Sequence, residues 1–299
     1  MLIEDTLQTP KRSQLLSRTK DYIQLTKLRL SFLVVFSAAA GFLIGSDGSL
    51  DWTKFFFLII GGFLVTGSSN AFNQVIEKDL DRLMTRTEKR PLPDRRLGLN
   101  QAIIFSAITG TIGVLVLLYF VNLPSALLGL LALVLYTLAY TPLKRLTPLA
   151  VFVGAIPGSF PPMLGWVAAT GNFGLVAFLL FAIQFMWQFP HFWAIAWVLD
   201  DDYKKAGFRL LPSGNRDRSS AFQTVVYTLA LLPLGLTPYF FQMSGIISAI
   251  VVSLCGIFFL YLAINLYKTR DVKEARKLMF GSFLYLPLVQ MALLFDKIT

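Results

Sequence analysis

The chain has one cysteine, Cys255, and one histidine, His191, in 299 residues. A disulfide framework and a four-thiolate metal site are thereby excluded, and zinc chemistry has almost no ligands to draw on. Charge is scarce as well: 15% of the residues are charged, where a soluble domain usually has about 25%. What is abundant is apolar, with 55% hydrophobic residues and a mean hydropathy of +0.63. This balance excludes disorder and does not suit a soluble fold. Basic residues outnumber acidic ones, 27 to 17. They stand between apolar runs rather than forming one stripe, so their target is a membrane surface and not nucleic acid.

A bilayer core of about 30 Å takes roughly 20 apolar residues as a helix. Nine such stretches are present, near 30–47, 52–73, 101–121, 124–141, 148–170, 174–199, 220–240, 245–267 and 278–295. The first 28 residues are polar and lack the apolar core and small-residue cleavage site of a signal peptide, so the first span is expected to be a resident helix. The expected architecture is all-α: a polytopic membrane protein with nine transmembrane helices around a central cavity. Residues 1–28 form an N-terminal tail and 29–299 the transmembrane domain. Twenty-five of the 27 basic residues fall in the tail and in the loops after the even-numbered spans; only Lys54 and Lys297 lie opposite. Lys and Arg accumulate on the cytoplasmic side, so the N-terminus is expected in the cytoplasm. The outer connections (121–125, 170–174, 242–245) leave no room for an external domain.

Spans 2 and 6 both end at the basic face, and acidic residues follow each: Glu77, Asp79 and Asp81 after one, Asp200, Asp201 and Asp202 after the other. A helix C-terminus is the negative pole of its dipole, so carboxylates there are unfavourable unless a cation compensates. A hard divalent cation such as Mg2+ takes oxygen ligands, typically carboxylates together with substrate phosphates. The competing reading is neutralisation by neighbouring Arg and Lys as ordinary loop ion pairs. Asn73, Glu77 and Asp81 recur at i, i+4 and i+8, one helical face, which Asn70 and Thr66 extend into the membrane. Gln184, Gln188 and His191 mark a second stripe in span 6. Polar stripes within transmembrane helices face protein or a cavity rather than lipid, so the two describe a cavity with a cation-binding mouth. Arg90-Pro91-Leu92-Pro93 and Arg209-Leu210-Leu211-Pro212 each follow an acidic cluster by nine residues, adding the guanidinium groups that take up phosphate oxygens.

The run from Asn73 through Glu77, Asp81, Met84, Arg86 and Thr87 to Arg90-Pro91-Leu92-Pro93 resembles the first Asp-rich motif of the UbiA superfamily of intramembrane prenyltransferases. More narrowly it is similar to the haem-farnesylating branch. Pro190-His191-Phe192-Trp193, then Asp201-Asp202-Tyr203, Ala206-Gly207 and Leu211-Pro212, resembles the same branch, as does Phe160-Pro161-Pro162-Met163-Leu164-Gly165-Trp166. Tyr140-x-x-x-Lys144 fits a superfamily motif. Two positions depart from it: Glu77 stands where much of the superfamily has Asp, and Val198 where other branches lead the second motif with Asp.

The resemblance implies transfer of a farnesyl group from farnesyl diphosphate to a vinyl group of haem b, with addition of water, giving haem O. It implies Mg2+ at Glu77, Asp81, Asp201 and Asp202, with Asn73 completing the catalytic set. Arg86, Lys89, Arg90, Lys144, Lys205 and Arg209 would bind the diphosphate, and Tyr140 would donate a hydrogen bond to it. His191 is expected to contact haem, as an iron ligand, a propionate partner or an acid toward the vinyl group; an interhelical packing bond is the alternative. Trp187, Trp193 and Trp197 read as packing or cavity wall, and Cys255 as core. The implied location is the inner (plasma) membrane with a cytoplasmic site mouth, and a haem A synthase is a candidate partner. Prenylation of a quinone precursor or a chlorophyllide is the rival within the superfamily. A secondary transporter is the rival outside it, and would be expected to keep ionisable residues near the bilayer centre.

Overall fold

A computed structural model describes residues 11–298, with side chains from Arg18 onward. The first ten residues of the expected tail, and the side chains of Lys11 and Arg12, lie outside the described residues. Among the described residues nine helices are long and apolar enough to cross a membrane, and the one β-feature is an isolated bridge between Ser244 and Lys297. A helix within the tail, α1 (Lys11–Leu25), precedes the first span, α2 (Leu28–Gly45). Then come α3 (Trp52–Ile76), the one-turn α4 (Lys78–Asp81), α5 (Leu99–Phe120) and α6 (Leu123–Val134). The fourth span continues from α6 through a π-helical segment (Leu135–Tyr140) into α7 (Thr141–Leu143). The remaining helices are α8 (Ala150–Thr170), α9 (Leu175–Val198), the short α10 (Asp200–Lys205), α11 (Arg218–Phe240), α12 (Ile246–Thr269) and α13 (Val272–Phe295).

Four of the span starts are set by side chains that accept the first free amides. Asp51 bonds the Lys54 amide, Asn122 that of Ser125, Asp217 that of Ser220 and Asp271 that of Lys273, at 2.8–3.0 Å. The last span therefore begins at Val272, six residues before the apolar run, because Asp271 caps it there. One apolar core lies among α2, α3, α5, α6 and α8 (Phe42, Leu58, Val65, Leu117, Leu164) and a second among α9, α11, α12 and α13 (Trp197, Leu231, Phe259, Leu266, Leu278). Helix α8 packs on α2 and α9, and α13 returns to touch α2, so the bundle closes on itself.

The second polar stripe holds this closure. Pro162 has no amide to give the carbonyl of Gly158, one turn earlier, and Gln184 Nε2 donates to that carbonyl instead, at 2.7 Å. Gln184 Oε1 accepts from Ser37 Oγ of α2 at 2.7 Å and from Gln290 Nε2 of α13 at 3.1 Å. Gln188 Nε2 donates to Ala155 O and Ser159 Oγ of α8. Gln184 and Gln188 are therefore spent on helix pairing, which corrects their expected place as cavity lining.

The contact of α2 with α8 depends on two glycines. A Cβ on Gly165 would lie 1.9 Å from Ala38 O, and one on Gly41 2.0 Å from Pro162 O, backbone in both cases. Gly165→Ala is expected to cost about 1–3 kcal/mol through forced separation of the helices. Gly62→Ala, whose Cβ would meet only Val35 Cγ2 at 3.7 Å, should stay within about 0.5 kcal/mol of the parent. Thermal unfolding of both variants in detergent checks this, and equal midpoints would remove the close-contact argument.

Candidate active site

The site is built where α3 ends at the basic face. Glu77 caps α3 and α4 continues beyond it, which keeps Asn73, Glu77 and Asp81 in the column that their spacing predicts; all three are buried. Each is met by a cation from a different part of the chain. Lys27, between α1 and α2, donates from Nζ to Asn73 Oδ1 at 3.1 Å. Lys144, after α7, donates to Glu77 Oε1 at 2.8 Å. Arg90, in the loop after α4, donates from Nη1 to Asp81 Oδ2 at 2.7 Å. The other Asp81 oxygen, Oδ1, is buried with no hydrogen-bond partner.

The π-helical segment delivers Lys144. A π turn is an insertion that re-aims the side chains following it and recurs at functional sites. Here Thr141 Oγ1 donates to Tyr136 O at 2.8 Å and accepts from Asn73 Nδ2 at 3.3 Å, tying α3 to the turn. Lys144 Nζ then lies 4.7 Å from the centre of the Tyr140 ring and 5.7 Å from that of Phe208, favourable seats for a cation over a π face. Burial works against the Lys144 charge, but Glu77 and the surrounding tyrosines outweigh it and raise its pKa. Burial raises the Asp81 carboxyl despite Arg90, with Glu77 adding to the rise. Burial lowers the Lys27 ammonium to about 7, helped by Arg90 and Lys144.

The second acidic cluster does not converge on this column. Asp200 is buried against Lys204 (2.7 Å) and Arg216 (3.6 Å), while Asp201 is exposed and pairs with Arg216 at 3.0 Å. Asp202 accepts the backbone amides of Thr85 (3.2 Å) and Arg86 (3.1 Å) and the ammonium of Lys205 (2.9 Å), which in turn donates to Thr85 Oγ1. Lys205 first, and then the two amides, lower the Asp202 carboxyl to about 2. Asp202 thus joins the loop after α4 to α10. An apolar patch of Met84, Ala206 and Phe208, flanked by Leu80, Tyr203 and Leu210, seals the joint, and Arg209 N donates to Lys144 O at 3.1 Å. The side chains of Arg86, Lys89 and Arg209 are exposed, with no ion-pair partner among the described residues. Tyr140 is buried under Lys144 and its hydroxyl bonds none of the described residues.

No group of three His, Cys, Asp or Glu residues that could hold a metal occurs among the described residues. The column nevertheless suits a hard cation in its donors, one amide oxygen and two carboxylates. Its buried Asp81 Oδ1 has an unfilled acceptor site, and a positive group already sits on each member. Farther along α3, Thr66 borders a slot of about 50 Å3 lined by Val35, Ala38, Val65, Leu117, Phe160 and Leu164. A larger cavity of about 200 Å3 lies at the opposite face, beside Trp166, Gln242 and Lys297.

His191 is held two helices away from the column. Its Nδ1 is 2.7 Å from Ser282 Oγ of α13, and that hydroxyl lies 2.6 Å from Met279 O. Two oxygens approach so closely only with a proton between them, so the hydroxyl hydrogen points at Met279 and Nδ1–H is the donor to Ser282. Nε2 therefore carries the lone pair, and it bonds none of the described residues. Trp187 stacks on the imidazole at 4.4 Å and donates from Nε1 to Ser282 O at 3.0 Å. Ser282, Lys27 and Phe208 were not singled out from the sequence. Ser282 carries no local signal, and Lys27 reads there as one more basic residue of the tail.

A buried oxyanion column paired with cations at one end of a closed bundle of membrane-crossing helices is the architecture of an intramembrane enzyme for an anionic substrate. Residues 34–286 match the UbiA prenyltransferase family, and the chain belongs to it. The protoheme IX farnesyltransferase of Cytophaga hutchinsonii is 50% identical over 283 residues, covering 94% of this chain and 99% of its own. That of Christiangramia forsetii is 47% identical, covering 93% of each. Among solved structures, one described as digeranylgeranylglyceryl phosphate synthase superposes with a TM-score of 0.79 at 22% identity, over 94% of this chain and 98% of that one. A UbiA homolog from Archaeoglobus fulgidus bound to DMAPP and Mg2+ superposes with a TM-score of 0.66 at 14% identity, over 91% and 99%.

Asp202→Ala is expected to free the loop after α4 and speed amide exchange at Thr85 and Arg86 by about tenfold or more, as a charge-assisted bond is worth roughly 1.5–3 kcal/mol. Hydrogen exchange with peptide-level readout checks it; unchanged protection at both amides would show that the apolar patch alone closes the joint.

Proposed function

We propose that the chain transfers the farnesyl group of farnesyl diphosphate to a vinyl carbon of haem b with addition of water, giving haem O and diphosphate. The observation that carries this is the near full-length identity of 50% to a protoheme IX farnesyltransferase. The allylic C–O bond breaks with its electron pair leaving on the diphosphate. The vinyl π pair forms the new C–C bond, and water adds at the carbon left electron-poor and loses a proton, so no oxidant or reductant is consumed.

Asn73, Glu77 and Asp81 are the residues that would hold magnesium, which supplies Lewis-acid stabilisation of the leaving diphosphate. Arg90 and Lys144 stand next to those oxygens and can take up phosphate charge without being brought in from solvent, and positioned charges of this kind are usually the largest catalytic term. Arg86, Lys89 and Arg209 supply unpaired positive charge at the rim. Asp202 with Lys205 keeps the rim loops together over the site. The apolar slot beside Thr66 lies on the helix that carries the column. The loop charges support a cytoplasmic basic face in the plasma (inner) membrane.

His191 supports the haem acceptor. A metal-binding imidazole is typically fixed by a hydrogen bond from its other ring nitrogen, and Ser282 provides one, leaving the Nε2 lone pair for iron. A donor at Nε2 is what an acid toward the vinyl group would need, so the iron-ligand role is the one we propose.

Incubation of the purified chain in nanodiscs with radiolabelled farnesyl diphosphate, Mg2+ and haem b is expected to yield a prenylated haem, and hydroxybenzoate none; the reverse outcome would assign the enzyme to quinone precursors. Glu77→Gln and Asp81→Asn should each lower kcat/KM by about 100-fold or more, in the range of lost positioned electrostatic groups. His191→Ala should abolish the iron–histidine band in the resonance Raman spectrum of bound ferrous haem, and an unaltered band would return His191 to helix packing.

A further inference from the structure

Lys27 precedes the family-matched residues 34–286, and nothing in the proposed reaction has used it. Its backbone is left-handed, φ 48° and ψ 59°, a conformation that a residue with a Cβ keeps only when its surroundings over-determine it. The surroundings come from the polar face of α3. Gln74 Nε2 donates to Leu25 O at 2.8 Å, and Asn70 Nδ2 to Thr26 O at 3.4 Å and to Ser31 Oγ at 3.3 Å. Ser31 Oγ donates to Thr26 O at 2.7 Å, and Thr26 Oγ1 to Ile23 O at 2.8 Å.

These bonds hold a sharp elbow between α1 and α2 through the backbone of residues 23–26, and none of them uses the Lys27 side chain. That side chain turns instead to Asn73 Oδ1. The same helix that carries the acidic column thus spends its neighbouring amides on aiming one more ammonium at it. An elbow needs no lysine at its strained residue, and glycine would adopt the conformation freely. The cation is what the position gains.

We infer that Lys27 is a substrate-contacting residue that grips the diphosphate of the prenyl donor, giving up Asn73 Oδ1 for a phosphate oxygen as the donor binds. The inference rests on the prenyl diphosphate half of the proposed function and is independent of the acceptor. Lys27, Lys144 and Arg90 then form a three-point clamp drawn from three separate segments, each cation parked on one oxygen of the column before substrate arrives.

Lys27→Gly separates the side chain from the elbow, because glycine keeps the left-handed turn. Calorimetric titration of the full chain in nanodiscs, with Mg2+ present, would measure binding of farnesyl diphosphate and of inorganic diphosphate. Loss of one charge-assisted contact should weaken both by about 10- to 100-fold, with the thermal midpoint unchanged or raised and haem affinity unchanged. Lys27→Arg should recover binding to within several-fold, and Arg29→Met, which removes an exposed charge from the same turn, should bind as the parent does. Diphosphate affinity of Lys27→Gly equal to the parent's would overturn the inference. So would a weakened affinity that tracks a lowered midpoint and is not rescued by arginine, since Lys27 would then be a strut of the elbow. Should the parent bind the donor yet leave haem unmodified, the acceptor assignment fails while the role of Lys27 stands.

Discussion

Carboxylates at the C-terminal pole of a membrane helix oppose the helix dipole and one another, and this conflict organises the whole basic face of the molecule. Glu77 and Asp81 are buried there, where an uncompensated charge would be prohibitive. Compensation comes from three places far apart in sequence: the elbow before α2, the loop after α4 and the end of the π-disturbed fourth span. Each delivers one cation. The two ion pairs, Lys144 with Glu77 and Arg90 with Asp81, are maintained because removing one partner strands the other at a cost of about 3–5 kcal/mol, whereas Lys27 bonds the neutral amide of Asn73. Such an arrangement contributes little net stability, but it keeps positive groups within reach of the oxygens that a metal and a diphosphate would compete for.

The elements that do not touch the column serve to keep these groups in register. Asp202 fastens the loop carrying Arg86 and Arg90 to α10, and the Arg209 amide fastens the next loop to the carbonyl of Lys144. An ion pair of the exposed Arg96 with the buried Asp21 ties the far end of the α4 loop to α1. Within the bilayer, the proline breaks of α8 are repaired by Gln184, which draws α2 and α13 in and closes the bundle. Polar residues at membrane depth thus divide into those spent on backbone repair and those, such as His191, whose second polar atom bonds none of the described residues.

Spans, their number and the acidic column were legible in the sequence because each has a local signature: apolar length for the spans, the four-residue spacing for Asn73, Glu77 and Asp81. Helix ends shifted by a few residues where a cap such as Asp271 overrides hydropathy. The two acidic clusters stand apart in the structure, with Asp201 turned outward to Arg216 and Asp202 accepting backbone amides. Tripled aspartates look equivalent in a sequence, and only the turn of α10 tells them apart. Gln184 and Gln188 misled in the same way, because a missing proline amide on a neighbouring helix leaves no trace in their own segment. Lys27 and Ser282 were illegible for a related reason: their meaning lies wholly in what a distant helix presents to them.

In the proposed reaction, resident cations occupy the column until a diphosphate draws them away. Calorimetric titration of Mg2+ into the full chain in nanodiscs, with and without a non-hydrolysable farnesyl diphosphate analogue, tests it most directly. Mg2+ alone is expected to bind weakly, because Lys27, Lys144 and Arg90 hold the oxygens, and the analogue to raise its affinity by about tenfold or more, an ordinary coupling of roughly 1–3 kcal/mol. Tight binding of Mg2+ to the substrate-free chain, lost in Asp81→Asn and indifferent to the analogue, would contradict it.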